Sequence, residues 1–182
     1  METAARVVLD SISPRGDRLT TLEVTMHRFV LAEFNTHRIF SRNSASSRAI
    51  PVEKQLERVK ENPAYPVSWP CEQPGMSGGT ELEGGDLEDA KLFYKFVHEK
   101  VWREVDAYLK MHPEKSERLH KSVVNRFLEP FMWHTVLVSS TGWENFRGLR
   151  CSPQAQPEMR LAAEKMMEAL DASTPTELDY GQ

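Results

Sequence analysis

Residues 19–48 read Leu19-Thr20-Thr21-Leu22-Glu23-Val24-Thr25-Met26-His27-Arg28-Phe29-Val30-Leu31-Ala32-Glu33-Phe34-Asn35-Thr36-His37-Arg38-Ile39-Phe40-Ser41-Arg42-Asn43-Ser44-Ala45-Ser46-Ser47-Arg48. Three textures follow one another in this run. Leu22, Val24 and Met26 alternate with Thr21, Glu23 and Thr25, the period of a half-buried strand. Phe29, Val30, Leu31 and Phe34 then predict a short buried helix ending near Asn35. From Asn35 the pattern breaks into hydroxyl and guanidinium groups. Ile39 and Phe40 are embedded among them, which predicts an ordered loop and not a linker.

Charge sets this loop apart. Residues 34–50 hold Arg38, Arg42, Arg48 and His37 and no acid, whereas residues 71–90 hold six acids and no Lys or Arg. The whole chain is acidic, at −4, which argues against a nucleic-acid polymer as partner. A local cationic stretch in such a chain is what a bound phosphate requires. Arginine forks match phosphate oxygens, and serine hydroxyls and loop amides complete a cradle. On residue chemistry alone, a solvated serine–arginine loop is an equal alternative.

The remaining composition narrows the class. A length of 182 residues predicts a single domain over 1–182, and 40% hydrophobic with 27% charged residues excludes a disordered or fibrous chain. No run approaches the roughly 18 apolar residues of a membrane span. The start, Met1-Glu2-Thr3-Ala4-Ala5-Arg6, lacks the basic and apolar blocks of a signal peptide, so a cytoplasmic protein is expected. Two cysteines, Cys71 and Cys151, without a CxxC predict neither a disulfide framework nor a metal site.

Working outward, Arg6–Ile12 predicts an earlier strand, with Pro14-Arg15-Gly16-Asp17 as the turn. Pro51 opens a helix with the stripe Val52, Leu56 and Val59. Residues 66–85, with three prolines and five glycines, predict a long, flexible, acidic surface loop. Asp86 is the expected N-cap of the longest helix, to Met111, with Ala90, Phe93, Val97, Val101, Val105 and Leu109 facing inward. A helix over Lys115–Leu128 and a buried strand over Phe131–Val138 follow. Thr141-Gly142-Trp143-Glu144 has capping-box spacing for a short helix to Leu149. Ser152-Pro153 predicts the start of a last helix, with Met159, Ala162, Ala163, Met166 and Leu170 inward, before a polar tail over 172–182. Strands mixed with long helices give a mixed α/β (α+β) class: a small β-sheet flanked by long helices.

A second constellation is Asn145-Phe146-Arg147-Gly148-Leu149-Arg150, followed by Ala155-Gln156 and Glu158. Arg147 and Arg150 share a helix face. Chemistry alone reads them as an exposed, ion-paired helix, and Glu158 as a complement to the next helix's N-terminal dipole.

Thr36-His37-Arg38 through Arg48 resembles the signature of flavin-dependent thymidylate synthases, an RHR triplet followed by seven residues and a serine. Asn145-Phe146, Leu149-Arg150, Ala155-Gln156 and Glu158 resemble that family's second motif. His120-Lys121, Asn125-Arg126 and Glu129-Pro130-Phe131 are similar to a phage-type branch. The resemblance implies an FAD enzyme that methylates dUMP to dTMP with methylenetetrahydrofolate and NADPH, without a cysteine nucleophile. It implies a homotetramer with active sites at subunit interfaces. His37, Arg38, Ile39, Asn43 and Asn145 would contact FAD. Ser46, Ser47 and Arg48 would hold the 5′-phosphate, and Arg126 would reach it from a neighbouring subunit. Arg150 would bind the pyrimidine edge and act as the catalytic group. The chain departs from the pattern at Thr36, Ser44, Ser47 and Gln154, with Arg42 a candidate replacement for the arginine missing at position 36. Relatives are expected to run past Gln182. The departures keep two other readings open: a phage methyl- or hydroxymethyltransferase acting on dUMP or dCMP, and a catalytically lapsed nucleotide- or flavin-binding homologue.

Overall fold

β1 (Ala4–Ile12) and β2 (Arg18–His27) pair antiparallel across the turn at Pro14–Asp17, where Gly16 takes a φ of +89°. The computed structural model describes residues 1–180. β2 buries Leu22, Val24 and Met26 completely, as the period-two pattern requires. β1 carries a bulge between Val7 and Leu9 that turns Leu9 to solvent. β3 (Ser41–Ser44), β4 (Trp133–Ser140) and β5 (Thr176–Glu177) complete a five-stranded sheet in the order β3-β4-β2-β1-β5. β3 runs antiparallel to β4, and β5 runs parallel to β1.

The chain divides into two compact units: Met1–Ser44 with the described residues from His134 onward, and Ala45–Trp133. In the first, α6 (Pro157–Asp171) packs on β1 and β2. It buries Met159, Ala162, Ala163, Met166 and Leu170 as expected. α1 (Leu31–Phe34) and α5 (Glu144–Arg150) add Phe34 and Phe146 to the same core. Arg18 ties this core to the sheet by donating to Asp10 and to the carbonyls of Leu170 and Ser173 at the end of α6. In the second unit α2 (Val52–Glu61), α3 (Gly84–Met111) and α4 (Lys121–Leu128) enclose Val52, Leu56, Val59, Val105, Leu109, Val124 and Leu128.

Several boundaries differ from the sequence pattern. α3 begins at Gly84, which adopts a φ of +55°, and not after Asp86; Asp86 sits in its first turn, where a carboxylate complements the dipole. Phe93 is 68% exposed, because the inward face runs through Tyr94, Val97, His98 and Val101 instead. α4 starts at Lys121 and not Lys115: Lys115–Glu117 is a single 3₁₀ turn, Arg118 is extended, and His120 Nδ1 accepts from Ser122 N at 3.2 Å. α6 starts at Pro157, since Ser152–Ala155 closes as a separate turn. Residues 69–82 fold back on themselves, with Cys71 N donating to Thr80 O and Leu82 N to Trp69 O, each at 2.9 Å. In the expected polar tail, β5 pairs with β1; Gly181 and Gln182 lie outside the described residues. No helix among the described residues is long and apolar enough to cross a membrane.

Candidate active site

In the first unit the two arginine-bearing segments meet. Arg150, at the last turn of α5, donates from Nε to His37 Nε2 at 2.8 Å across 113 positions of sequence. Its Nη1 pairs with Glu33 Oε1, and its Nη2 donates to Thr36 Oγ1 at 3.3 Å. A guanidinium carries five N–H donors, so three are engaged here and two remain for a ligand.

His37 is buried, at 7% exposure, against the edge of Phe146 and beside Phe40. Because Arg150 Nε is a donor, His37 Nε2 accepts, and the neutral ring carries its proton on Nδ1. Burial lowers the His37 pKa, and the positive charges of Arg150 and Arg42 push it further down. The imidazole is therefore a neutral support for Arg150.

Phe40 explains why this polar stretch is ordered. It stacks on Phe34, Trp143 and Phe146, so the chain is anchored to the core through one aromatic ring. Arg42 donates from Nη1 to the carbonyls of His37 and Phe34, at 3.1 and 3.4 Å. It therefore holds the backbone of the segment. Arg38 is exposed, as are Asn43 on β3 and Asn145 on α5, and Ile39 lies over Gly142 at 60% exposure. Trp143, stacked on Phe40, keeps its buried indole N–H without a partner among the described residues.

In the second unit, Ser46–Ile50 forms a turn closed by Ala49 N donating to Ser46 O at 2.9 Å. Ser46 and Arg48 are exposed. The Ser47 hydroxyl donates to Glu129, and Asn125 donates to the Ser47 carbonyl at 2.6 Å. Arg126 is exposed on α4 next to Asn125. The sequence placed Glu33, Asn125 and Glu129 in no role. Glu33 precedes the first motif by one helical turn, and Asn125 and Glu129 stand in the Asn125–Phe131 run that carried the branch resemblance.

Cys151 lies beside this constellation in sequence but not in chemistry. Burial raises its thiol pKa, with the nearby Glu164 adding to the effect, so the thiolate is disfavoured.

A sequence profile described as thymidylate synthase complementing protein matches residues 18–176, and the chain belongs to that family. Its fold is shared with a UMP/dUMP methylase, PolB from Streptomyces cacaoi, solved with 5-Br UMP, at 15% identity. That alignment covers 93% of this chain and 88% of PolB, with a TM-score of 0.68. The fold is also similar to the flavin-dependent thymidylate synthase ThyX from Helicobacter pylori, complexed with FAD and dUMP. There the identity is 20%, the coverage 84% of this chain and 67% of ThyX, and the TM-score 0.54. No curated protein matches the chain.

Proposed function

We propose that the protein is a flavin-dependent thymidylate synthase, which methylates dUMP to dTMP with methylenetetrahydrofolate and NADPH. The observation that carries this reading is the Arg150–His37 contact at 2.8 Å, which joins the two motif segments in one place. The chemistry that bound FAD would supply is the relay of the one-carbon unit and a hydride. The first unit fits such a group: Arg38 is exposed in a stretch without acids, Asn43 and Asn145 offer amides, and the Trp143 indole N–H is unpartnered among the described residues. His37 and Ile39, which flank Arg38, would add to that binding.

Arg150 contacts the pyrimidine through its two remaining donors and stabilises negative charge on the ring as C5 becomes nucleophilic. Its three engaged donors hold the guanidinium in a fixed plane, so little reorganisation accompanies that step. Ser46, Arg48 and Arg126 bind the nucleotide's phosphate, Arg126 acting from a neighbouring subunit. The raised Cys151 pKa accords with a reaction that uses no thiolate. Leu92, Phe93 and Phe96, each more than 60% exposed on α3, supply an apolar stripe suited to a homotetramer.

Absorbance titration tests this. Purified protein should be yellow or become so with FAD, its flavin bands should shift with dUMP, and dTMP should form with reductant and folate. A colourless protein indifferent to FAD would sink the proposal.

The same residues support a second reading, a methyl- or hydroxymethyltransferase acting on dUMP or dCMP. Ser44 and Gln154, two of the departures from the family pattern, favour it. Mass spectrometry of products from both nucleotides separates the readings, and exclusive dTMP formation removes the second.

A further inference from the structure

We propose that Asn125 and Glu129 are positioning residues for a nucleotide phosphate at the Ser46–Arg48 turn, and that the Ser47 hydroxyl is a strut of this turn and not a phosphate ligand. The inference rests on the reading above, in which this turn takes the phosphate.

Asn125 is completely buried on α4. Its Nδ2 donates to Ser47 O at 2.6 Å and to Ile50 O at 3.0 Å, so one amide group fixes both halves of the turn. Glu129, one helical turn further on, accepts from the Ser47 hydroxyl. Asn125 Oδ1 is buried and accepts no hydrogen bond among the described residues. That arrangement carries a desolvation penalty that a shape-matched apolar side chain would avoid. What the amide contributes in return is the orientation of two peptide groups.

The consequence follows from peptide geometry. No cis peptide occurs among the described residues, so the Ser47 carbonyl and the Arg48 N–H point in opposite directions. Tying the carbonyl to Asn125 turns the Arg48 N–H away from α4. That N–H and the exposed Arg48 guanidinium are then the groups the turn offers to an anion, together with Ser46. The Ser47 hydroxyl donates instead to Glu129, in the 3₁₀ turn that follows α4.

The test uses FAD-loaded protein and four variants: Asn125→Ala, Asn125→Asp, Ser47→Ala and Arg48→Ala. Titration calorimetry gives the affinities for dUMP and for deoxyuridine, which lacks the phosphate, and steady-state kinetics gives KM and kcat. Asn125→Ala should weaken dUMP roughly tenfold in both Kd and KM, with kcat and deoxyuridine affinity changed by less than about twofold. Asn125→Asp should do at least as much, since a carboxylate would face two carbonyl oxygens. Ser47→Ala should cost clearly less than Arg48→Ala. Equal losses for dUMP and deoxyuridine in Asn125→Ala would show a general structural role and overturn the inference. So would unchanged dUMP affinity in that variant while Arg48→Ala loses it. If Asn125→Ala does not fold, Ser47→Ala decides: a loss as large as that of Arg48→Ala makes the hydroxyl a ligand and refutes the strut. Wild-type dUMP affinity in Arg48→Ala refutes the underlying phosphate reading itself.

Discussion

Residues 33–44 and 45–50 form one continuous polar run in sequence, yet they are held in different ways. The first segment is clamped by guanidinium groups: Arg150 on Glu33, Thr36 and His37, and Arg42 on two carbonyls. It is also rooted in the core by Phe34 and Phe40. The second segment buries no side chain and takes its shape from a neutral amide on α4 and a carboxylate in the 3₁₀ turn that follows it. A cluster of arginines in sequence therefore divides into cations that build structure and cations that stay exposed without a role in holding the fold. Arg42 belongs to the first kind; Arg38 and Arg48, both exposed, belong to the second.

The largest expected effect tests whether the first segment really belongs to the core. Phe146 is 1% exposed and touches Phe34, His37 and Phe40. Phe146→Ala should destabilise the protein by about 3–5 kcal/mol in denaturant melts. Arg48→Ala, in the second segment, should stay within about 0.5 kcal/mol of wild type. Similar losses in the two variants would erase the contrast.

Next in size is a test of the fork. Arg150→Lys keeps the charge and loses the planar set of donors that meets Glu33, Thr36 and His37 together. Turnover of dUMP should fall about a hundredfold, mostly in kcat. A kcat within a few-fold of wild type would mean that charge alone suffices at this position. Arg48→Ala should instead raise the dUMP KM by roughly tenfold with kcat preserved, because it removes one charge-assisted phosphate contact. A drop in kcat without a change in KM would place Arg48 at the reacting ring.

The same contrast explains what the sequence revealed. Strong periodicity located β2, α2 and the inward face of α6, since burial of Leu22, Val59 or Met166 leaves a repeating apolar mark. β3 left none: Ser41-Arg42-Asn43-Ser44 is exposed throughout, and only its backbone pairing with β4 makes it a strand. β5 is two residues long and owes its existence to the edge of β1. At the candidate site, the resemblance pointed to His37 and Arg150 but not to their contact, and residue chemistry alone left Arg150 on an exposed, ion-paired helix. Glu33 and Asn125 escaped because their roles depend on partners 117 and 78 positions away. The resemblance alone made Ser47 a phosphate ligand; the Glu129 carboxylate that accepts its hydroxyl lies 82 positions away.

The smallest effect concerns pH. Protonating His37 would break the hydrogen bond from Arg150 and add a third positive charge beside Arg150 and Arg42. Burial first, and then the charges of Arg150 and Arg42, hold its folded pKa below the unfolded value of about 6.5. The unfolded chain takes up the proton first as pH falls, so the stabilisation is fully present above about pH 6.5 and declines as pH drops through the lower folded value. Residues 45–50 contain no histidine and contribute no such slope. His98 on α3, whose pKa burial also lowers, adds a slope of the same sign. Asp10, held at about 2 chiefly by Arg18, titrates below this range. Thermal melts between about pH 8 and 5 should show wild-type stability falling with acid, and His37→Gln should make that fall shallower. Superimposable pH profiles for the two proteins would mean that the folded chain accommodates a charged His37, and that guanidinium clamping does not depend on the neutral ring.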